Sequence, residues 1–243
     1  MINRPLTRIP QILLVCFSLC ALAATVSAKR RAPAGGRLAV VVDERLSALR
    51  ASPELSGVLL RRMSRGVLVA ITGAKTNREG VVFFRVNITR RTGGWLQRDA
   101  VVSPSRDGDD ARLLKLIKGS EEFDRIVRAR IFLDNFRLSG LRPEVLMIYS
   151  LAAEEAAVHL SREASRRLDA GEMNAGGAPI FSYFLNYNGL DRYNRQGITF
   201  ILNPSGNGFL YDGEAWREIV HRYPKSPQAE EARKRLAALG RIP

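Results

Sequence analysis

Few residues in this chain can do acid–base or metal chemistry. There are two histidines, His159 and His221, far apart and each in a stretch with helical spacing. That separation is unlike the helical pair, one turn apart, that holds zinc. Asp212 and Glu218 are candidate carboxylate partners for His221, yet Glu218 and Arg222 also form an ordinary i,i+4 pair. Both cysteines, Cys16 and Cys20, lie in one apolar run near the N-terminus. No glycine-rich phosphate loop precedes a helix, and no nucleophile elbow is present. These patterns predict no catalytic residue, no metal and no cofactor, and they favour binding over turnover.

Arginine is what the sequence supplies in quantity. Lys and Arg number 38 against 24 Asp and Glu, a formal charge of +14, and only 6 of the basic residues are Lys. The excess is local: residues 37–104 carry 12 basic and 5 acidic side chains, whereas residues 105–243 carry 21 and 19. The planar fork of arginine matches carboxylate and phosphate better than the point charge of lysine does. Arg61, Arg62, Arg65, Arg90 and Arg91 flank predicted hairpins, and with Trp95 they make a candidate aromatic and cationic ligand-binding surface. A plainer reading gives Trp95 to the core and leaves the arginines as charges that keep strand edges solvated. An anionic surface is a candidate partner, but nucleic acid is not expected, because neither a recognition helix nor a stacking sheet accompanies the charge.

The elements that must position these residues follow from the N-terminus. Residues 1–28 contain Arg4 and Arg8, an apolar run from Ile12 to Ala24 and the small-residue end Val26-Ser27-Ala28. This reads as a secretory signal peptide, expected to be cut after Ala28, with an uncleaved membrane anchor as the alternative. Cleavage would remove both cysteines and leave an exported chain, periplasmic or extracellular, without disulfide or thiolate chemistry. Residues 29–36 form a basic linker, and no later stretch is long and apolar enough to span a bilayer.

Residues 37–104 read as a compact β unit: short β-branched and aromatic runs at 37–42, 58–60, 66–72, 81–89 and 94–101, separated by turn-like stretches. The runs 67–71 and 81–86 are expected to pair across a loop at 74–80, and Gly93-Gly94 to supply positive φ that turns the Trp95 indole back toward the interior.

This segment resembles the bacterial SH3 (SH3b) domain. The resemblance is carried by Leu46-Ser47-Ala48-Leu49-Arg50, by Gly57-Val58-Leu59-Leu60 followed by Arg65-Gly66, and by Gly94-Trp95-Leu96 with a helical turn at Arg98-Asp99-Ala100-Val101. It implies a small β-barrel that binds cell-wall peptides or envelope proteins. The loop at 74–80 reads as longer than is usual in that family.

Beyond a linker at 103–108, with 105–120 as linker or short helix, the periodicity becomes helical. Helices are expected around Phe123–Leu138, from Leu141 to Leu168 with Pro143 in the first turn, and on either side of Pro224, with Ser226 as the cap of the last. The run from Ala215 to Leu236 is similar to tetratricopeptide-type repeats of bacterial envelope proteins. The expected fold is therefore α+β: a small SH3-like β-barrel followed by a tetratricopeptide-like α-helical hairpin domain over 121–243. A Gly- and aromatic-rich insertion near 169–210 interrupts the helices, and nine of the 18 aromatic residues lie between Phe181 and Trp216. Those rings either pin the insertion to the core or form a stacking surface. The expected function is that of a non-catalytic exported binding or scaffold protein. The alternative is an envelope hydrolase, or its regulatory subunit, with a site in the insertion.

Overall fold

The computed structural model describes residues 35–203 and 208–240. The proposed signal peptide, its cleavage site, both cysteines and the basic linker as far as residue 34 lie outside the described residues. Seven strands come first: β1 (Arg37–Val41), β2 (Ala48–Arg50), β3 (Leu59–Arg62), β4 (Leu68–Thr76), β5 (Val82–Asn87), β6 (Gly93–Gln97) and β7 (Val101–Val102). Helices α1 (Asp109–Lys118), α2 (Glu122–Asn135), α3 (Arg142–Arg167), α4 (Ala170–Gly176), α5 (Ile180–Leu185) and α6 (Asp191–Asn194) follow. The ribbon β8 (Phe200–Leu202) and β9 (Phe209–Tyr211) then leads to α7 (Glu214–Arg222) and α8 (Ala229–Leu239). The arrangement is α+β.

The seven strands form one antiparallel sheet in the order β3-β2-β6-β5-β4-β1-β7. A barrel is the expectation, yet this ladder is open, with β3 and β7 at its ends. The reason lies at β7. Arg112 of α1 donates Nη1 to Asp99 O at 3.1 Å and Nη2 to Val101 O, so a helix rather than β3 meets the last strand.

β1 joins sheet to helices because it is buried on both faces. Ala39 and Val41 pack into the sheet core with Leu49, Val69, Val86 and Leu96, while Val40 and Val42 join Val102 in the helical core. The run Ala39-Val40-Val41-Val42 is thus apolar without alternation for the same reason as any strand covered twice. The described residues accordingly fall in one compact unit. The stretch 103–108 is a fixed joint: Ser103 N donates to the buried Asp109 Oδ2 at 2.7 Å, and Ser103 Oγ to Leu38 O at 2.5 Å.

Several local expectations are corrected. The first three residues of the loop at 74–80 are strand, since Ala74, Lys75 and Thr76 pair with Phe84, Phe83 and Val82. A tight turn follows, in which the Asn77 side chain accepts from Glu79 N and Val81 N at 3.1 and 2.8 Å. Gly93 and Gly94 do not have positive φ. They serve close approach instead: a Cβ on Gly94 would stand 2.7 Å from Arg50 O and 2.9 Å from Leu49 Cγ. Of the two readings of 105–120, linker or short helix, the structure has a ten-residue helix over 109–118. Ser226 does not cap α8; its hydroxyl is buried without a hydrogen-bond partner, and Ala229 N bonds the Ser226 carbonyl at 3.0 Å. The insertion holds three short helices and a ribbon, and seven of the nine aromatics between Phe181 and Trp216 are buried in the helical core. That favours packing over a stacking surface for most of these rings.

Candidate functional site

Register decides which side chains share a face of the sheet, because directly opposed residues in antiparallel strands point the same way. Gly73 of β4 lies opposite Arg85 of β5, Arg85 opposite Trp95 of β6, Trp95 opposite Arg50 of β2, and Arg50 opposite Leu59 of β3. One transverse row therefore reads Gly73, Arg85, Trp95, Arg50, Leu59. Its neighbours along the strands, Leu49, Phe84, Val86 and Leu96, turn the other way into the sheet core. Trp95 is half-buried on the outer face, so the expectation that its indole fills the core is overturned: Leu96, at 0% exposure, takes that place.

The indole lies between two arginines. The Arg85 guanidinium carbon stands 5.6 Å from the Trp95 ring centroid, an attraction worth about 0.5–1 kcal/mol at an exposed site. Arg85 is exposed, and none of its guanidinium nitrogens is tied to a described side chain. Arg50 is half-buried and donates Nη1 to Gly57 O at 2.7 Å, which holds the 51–58 loop beside the row. Gly73 leaves a notch next to Arg85, and Leu59 ends the row with 47% exposure. The surface offers charge-assisted donors on both sides of a flat apolar ring, an arrangement suited to a carboxylate carried on an apolar or planar body.

The six residues expected to form this surface are placed in separate regions. Only Trp95 lies in the row. Arg61 and Arg62 are exposed on the end strand, opposite Leu49 and Ala48. Arg65 is drawn to the helices, with Nη1 2.6 Å from Asp124 Oδ1 and Nη2 3.7 Å from Glu44 Oε2. Arg90 and Arg91 are exposed in the β5–β6 turn, where Thr89 Oγ1 accepts from Arg91 N at 3.2 Å. Sequence reasoning missed Arg50 and Arg85. The signal available was alternation: each follows or precedes residues that point inward, Leu49 in one strand and Phe84 and Val86 in the other.

The histidines form no comparable arrangement among the described residues. His159 and His221 are exposed, Asp212 pairs with Arg217 at 3.5 Å, and Glu218 pairs with Arg142 at 3.0 Å and Arg222 at 3.3 Å. Among the described residues no group of three His, Cys, Asp or Glu is placed to hold a metal, and none of their helices is long and apolar enough to cross a membrane. Comparisons with protein-family models, with curated proteins and with solved structures found no match to this chain.

Proposed function

We propose that this chain is an exported, non-catalytic binding protein of a bacterial envelope. In this reading residues 37–104 are an SH3b-like module that takes a carboxylate-bearing cell-wall peptide or an envelope protein across the Arg85–Trp95–Arg50 row. The helical part, with its hairpin broken at Pro224, is tetratricopeptide-like and holds a protein partner. The row carries the reading, because two arginines flanking an outward indole have no role in the sheet core. Further support comes from the short helical turn Arg98–Ala100 before β7, which falls where the resemblance expects it, and from the leader-like residues 1–28.

The test is retention of the periplasmic fraction of the protein on purified peptidoglycan across a salt series. Each good charge-assisted contact contributes about 1.5–3 kcal/mol, so Trp95→Ala combined with Arg85→Ala is expected to cut retention tenfold or more. Arg61→Ala with Arg62→Ala removes two charges away from the row and is expected to change it little. Equal losses in both variants, vanishing together at high salt, would reduce the binding to non-specific charge attraction. Failure to find the protein outside the cytoplasm would sink the export reading.

A further inference from the structure

The sheet ends at β3, and among the described residues no strand pairs with its outer side. From the inner side β2 sets Leu49 opposite Arg61 and Ala48 opposite Arg62, with a register shift before Arg50 meets Leu59. Met63 N donates to Ser47 O at 3.0 Å. Backbone groups of an antiparallel strand alternate between its two sides, so the N–H and C=O of Arg62 point away from β2 and form an open edge. The edge is braced from behind: Ala51 N donates to Val58 O at 3.0 Å, and Arg50 Nη1 to Gly57 O at 2.7 Å.

The side chains along this edge restrict what can pair with it. All four β3 residues are exposed. Val58, just before the strand, is 70% exposed and Leu60 is 52% exposed, so with Leu59 three consecutive apolar residues face solvent. Arg61 and Arg62 follow, with no ion pair or side-chain hydrogen bond among the described residues. Glu54 is the one acidic residue between Ala48 and Arg62. Charges on an edge strand ordinarily keep like strands away. Here they act against a second copy, because self-pairing sets an arginine opposite its own symmetry mate or opposite leucine, and each copy carries a formal +14. The same charges favour an acidic strand, and the exposed leucines give that strand apolar contact that edge protection does not require.

We propose that β3 is a docking edge, separate from the Trp95 row, on which an extended acidic segment of a partner protein adds as an eighth, antiparallel strand. Two consecutive acidic residues meet Arg62 and Arg61, and the two apolar residues after them meet Leu60 and Leu59. The experiment titrates the full chain with acetyl-Thr-Glu-Glu-Val-Val-Thr-amide and follows the Arg62 backbone amide by nuclear magnetic resonance. This peptide is expected to bind at least about tenfold tighter than its Lys-Lys-Val-Val counterpart, and about threefold tighter than the Glu-Val-Glu-Val isomer of equal charge. N-methylation of its first Glu removes the N–H aimed at Arg62 O and should weaken binding about fivefold, whereas N-methylation of the second, whose N–H points outward, should change it less than about twofold. Arg61→Glu with Arg62→Glu alters only exposed groups and should reverse the preference toward the lysine peptide. No shift at Arg62 with the Glu-Glu-Val-Val peptide, equal binding of the Glu-Val-Glu-Val isomer, or equal effects of the two N-methyl groups each overturns the proposal, and the N-methyl arm needs no variant of the protein. Trp95→Ala should leave peptide binding intact; its loss there would assign the peptide to the sheet-surface row and overturn the edge site, whereas failure of peptidoglycan retention leaves the edge result standing.

Discussion

Two glycines of the sheet make a matched pair in which one added methyl group should act with opposite signs. A Cβ on Gly94 would lie 2.7 Å from Arg50 O, 2.9 Å from Leu49 Cγ and 3.1 Å from Leu49 Cδ1. Carbon contacts have their minimum near 3.5–4.0 Å, so β2 must move. It has little room: Leu49 is fully buried in the sheet core, and the nearest atom is a backbone carbonyl that cannot rotate away. Overpacking costs about 1–3 kcal/mol, and a double clash that includes backbone places Gly94→Ala near the upper end. A Cβ on Gly73 would meet only Arg85 Cβ, at an ordinary 3.7 Å, and this residue has no positive φ. Replacing glycine in a strand interior by alanine recovers about 0.5–1 kcal/mol of backbone entropy, so Gly73→Ala should be neutral to mildly stabilising.

The two variants are therefore expected to differ by about 3 kcal/mol, which for a chain of this size is a gap of about 6–12 °C in melting temperature. Circular dichroism melts with urea titrations would read it. Gly66→Ala is a useful third arm, since a Cβ there meets nothing within 4 Å while φ is +78°; the left-handed conformation alone should cost about 1–2 kcal/mol. Because β2 and β6 are registered through Arg50 opposite Trp95, Gly94→Ala should also weaken peptidoglycan retention, whereas Gly66→Ala should not. A Gly94→Ala chain within about 0.5 kcal/mol of the parent, or a Gly73→Ala chain less stable than it, would refute the close-approach argument.

Arg142 is 7% exposed and binds three groups on separate elements: Leu133 O at 2.7 Å, Tyr223 Oη at 3.1 Å and Glu218 Oε1 at 3.0 Å. Arg142→Ala should cost about 3 kcal/mol in urea unfolding, since it strips a partly buried carboxylate and a buried carbonyl of their donor; a cost under about 1 kcal/mol would show the network to be dispensable. Burial raises Tyr149 and Tyr211 above the ordinary tyrosine range, and in both it outweighs the hydrogen bonds that act in the other direction. A raised folded-state value means that stability is intact below the unfolded value, about pH 10, and is lost as pH climbs beyond it. Alkaline unfolding followed by tyrosinate absorbance should therefore flatten in Tyr149→Phe and Tyr211→Phe relative to the parent, and an unchanged slope would contradict the burial cause.

What could be read in the sequence was whatever local chemistry decides. Pro143 in a first turn, the break at Pro224 between α7 and α8, and the β-branched runs of β4 and β5 form where their residues require. The row of Arg85, Trp95 and Arg50 was not legible, because it depends on three strand pairings. One of those strands, β2, is only three residues long and is separated in sequence from its neighbour β6 by three other elements of the sheet. Trp95 looked like a core residue because large aromatics usually are; a single position of register gave that place to Leu96. The 74–80 loop looked long because Lys75 and Thr76 are polar, yet both are exposed strand residues paired with Phe83 and Val82.

Arg128 shows the same limit from the helical side. On a helix read alone it falls three residues before a run of apolar positions, and an arginine there is ordinarily a solvated charge. Its burial follows from the end of β1, where Val42, the residue after the strand, joins the helical core and its carbonyl accepts from Arg128 Nε. The strand that is apolar on both faces is thus the element that removes this cation from water, and Ser120 at the α1–α2 turn occupies only one more of its nitrogens. Joining the sheet to the helices and burying this arginine are consequences of the same packing. For that reason the burial of Arg128 belongs to the folded unit as a whole and to neither segment of the sequence by itself.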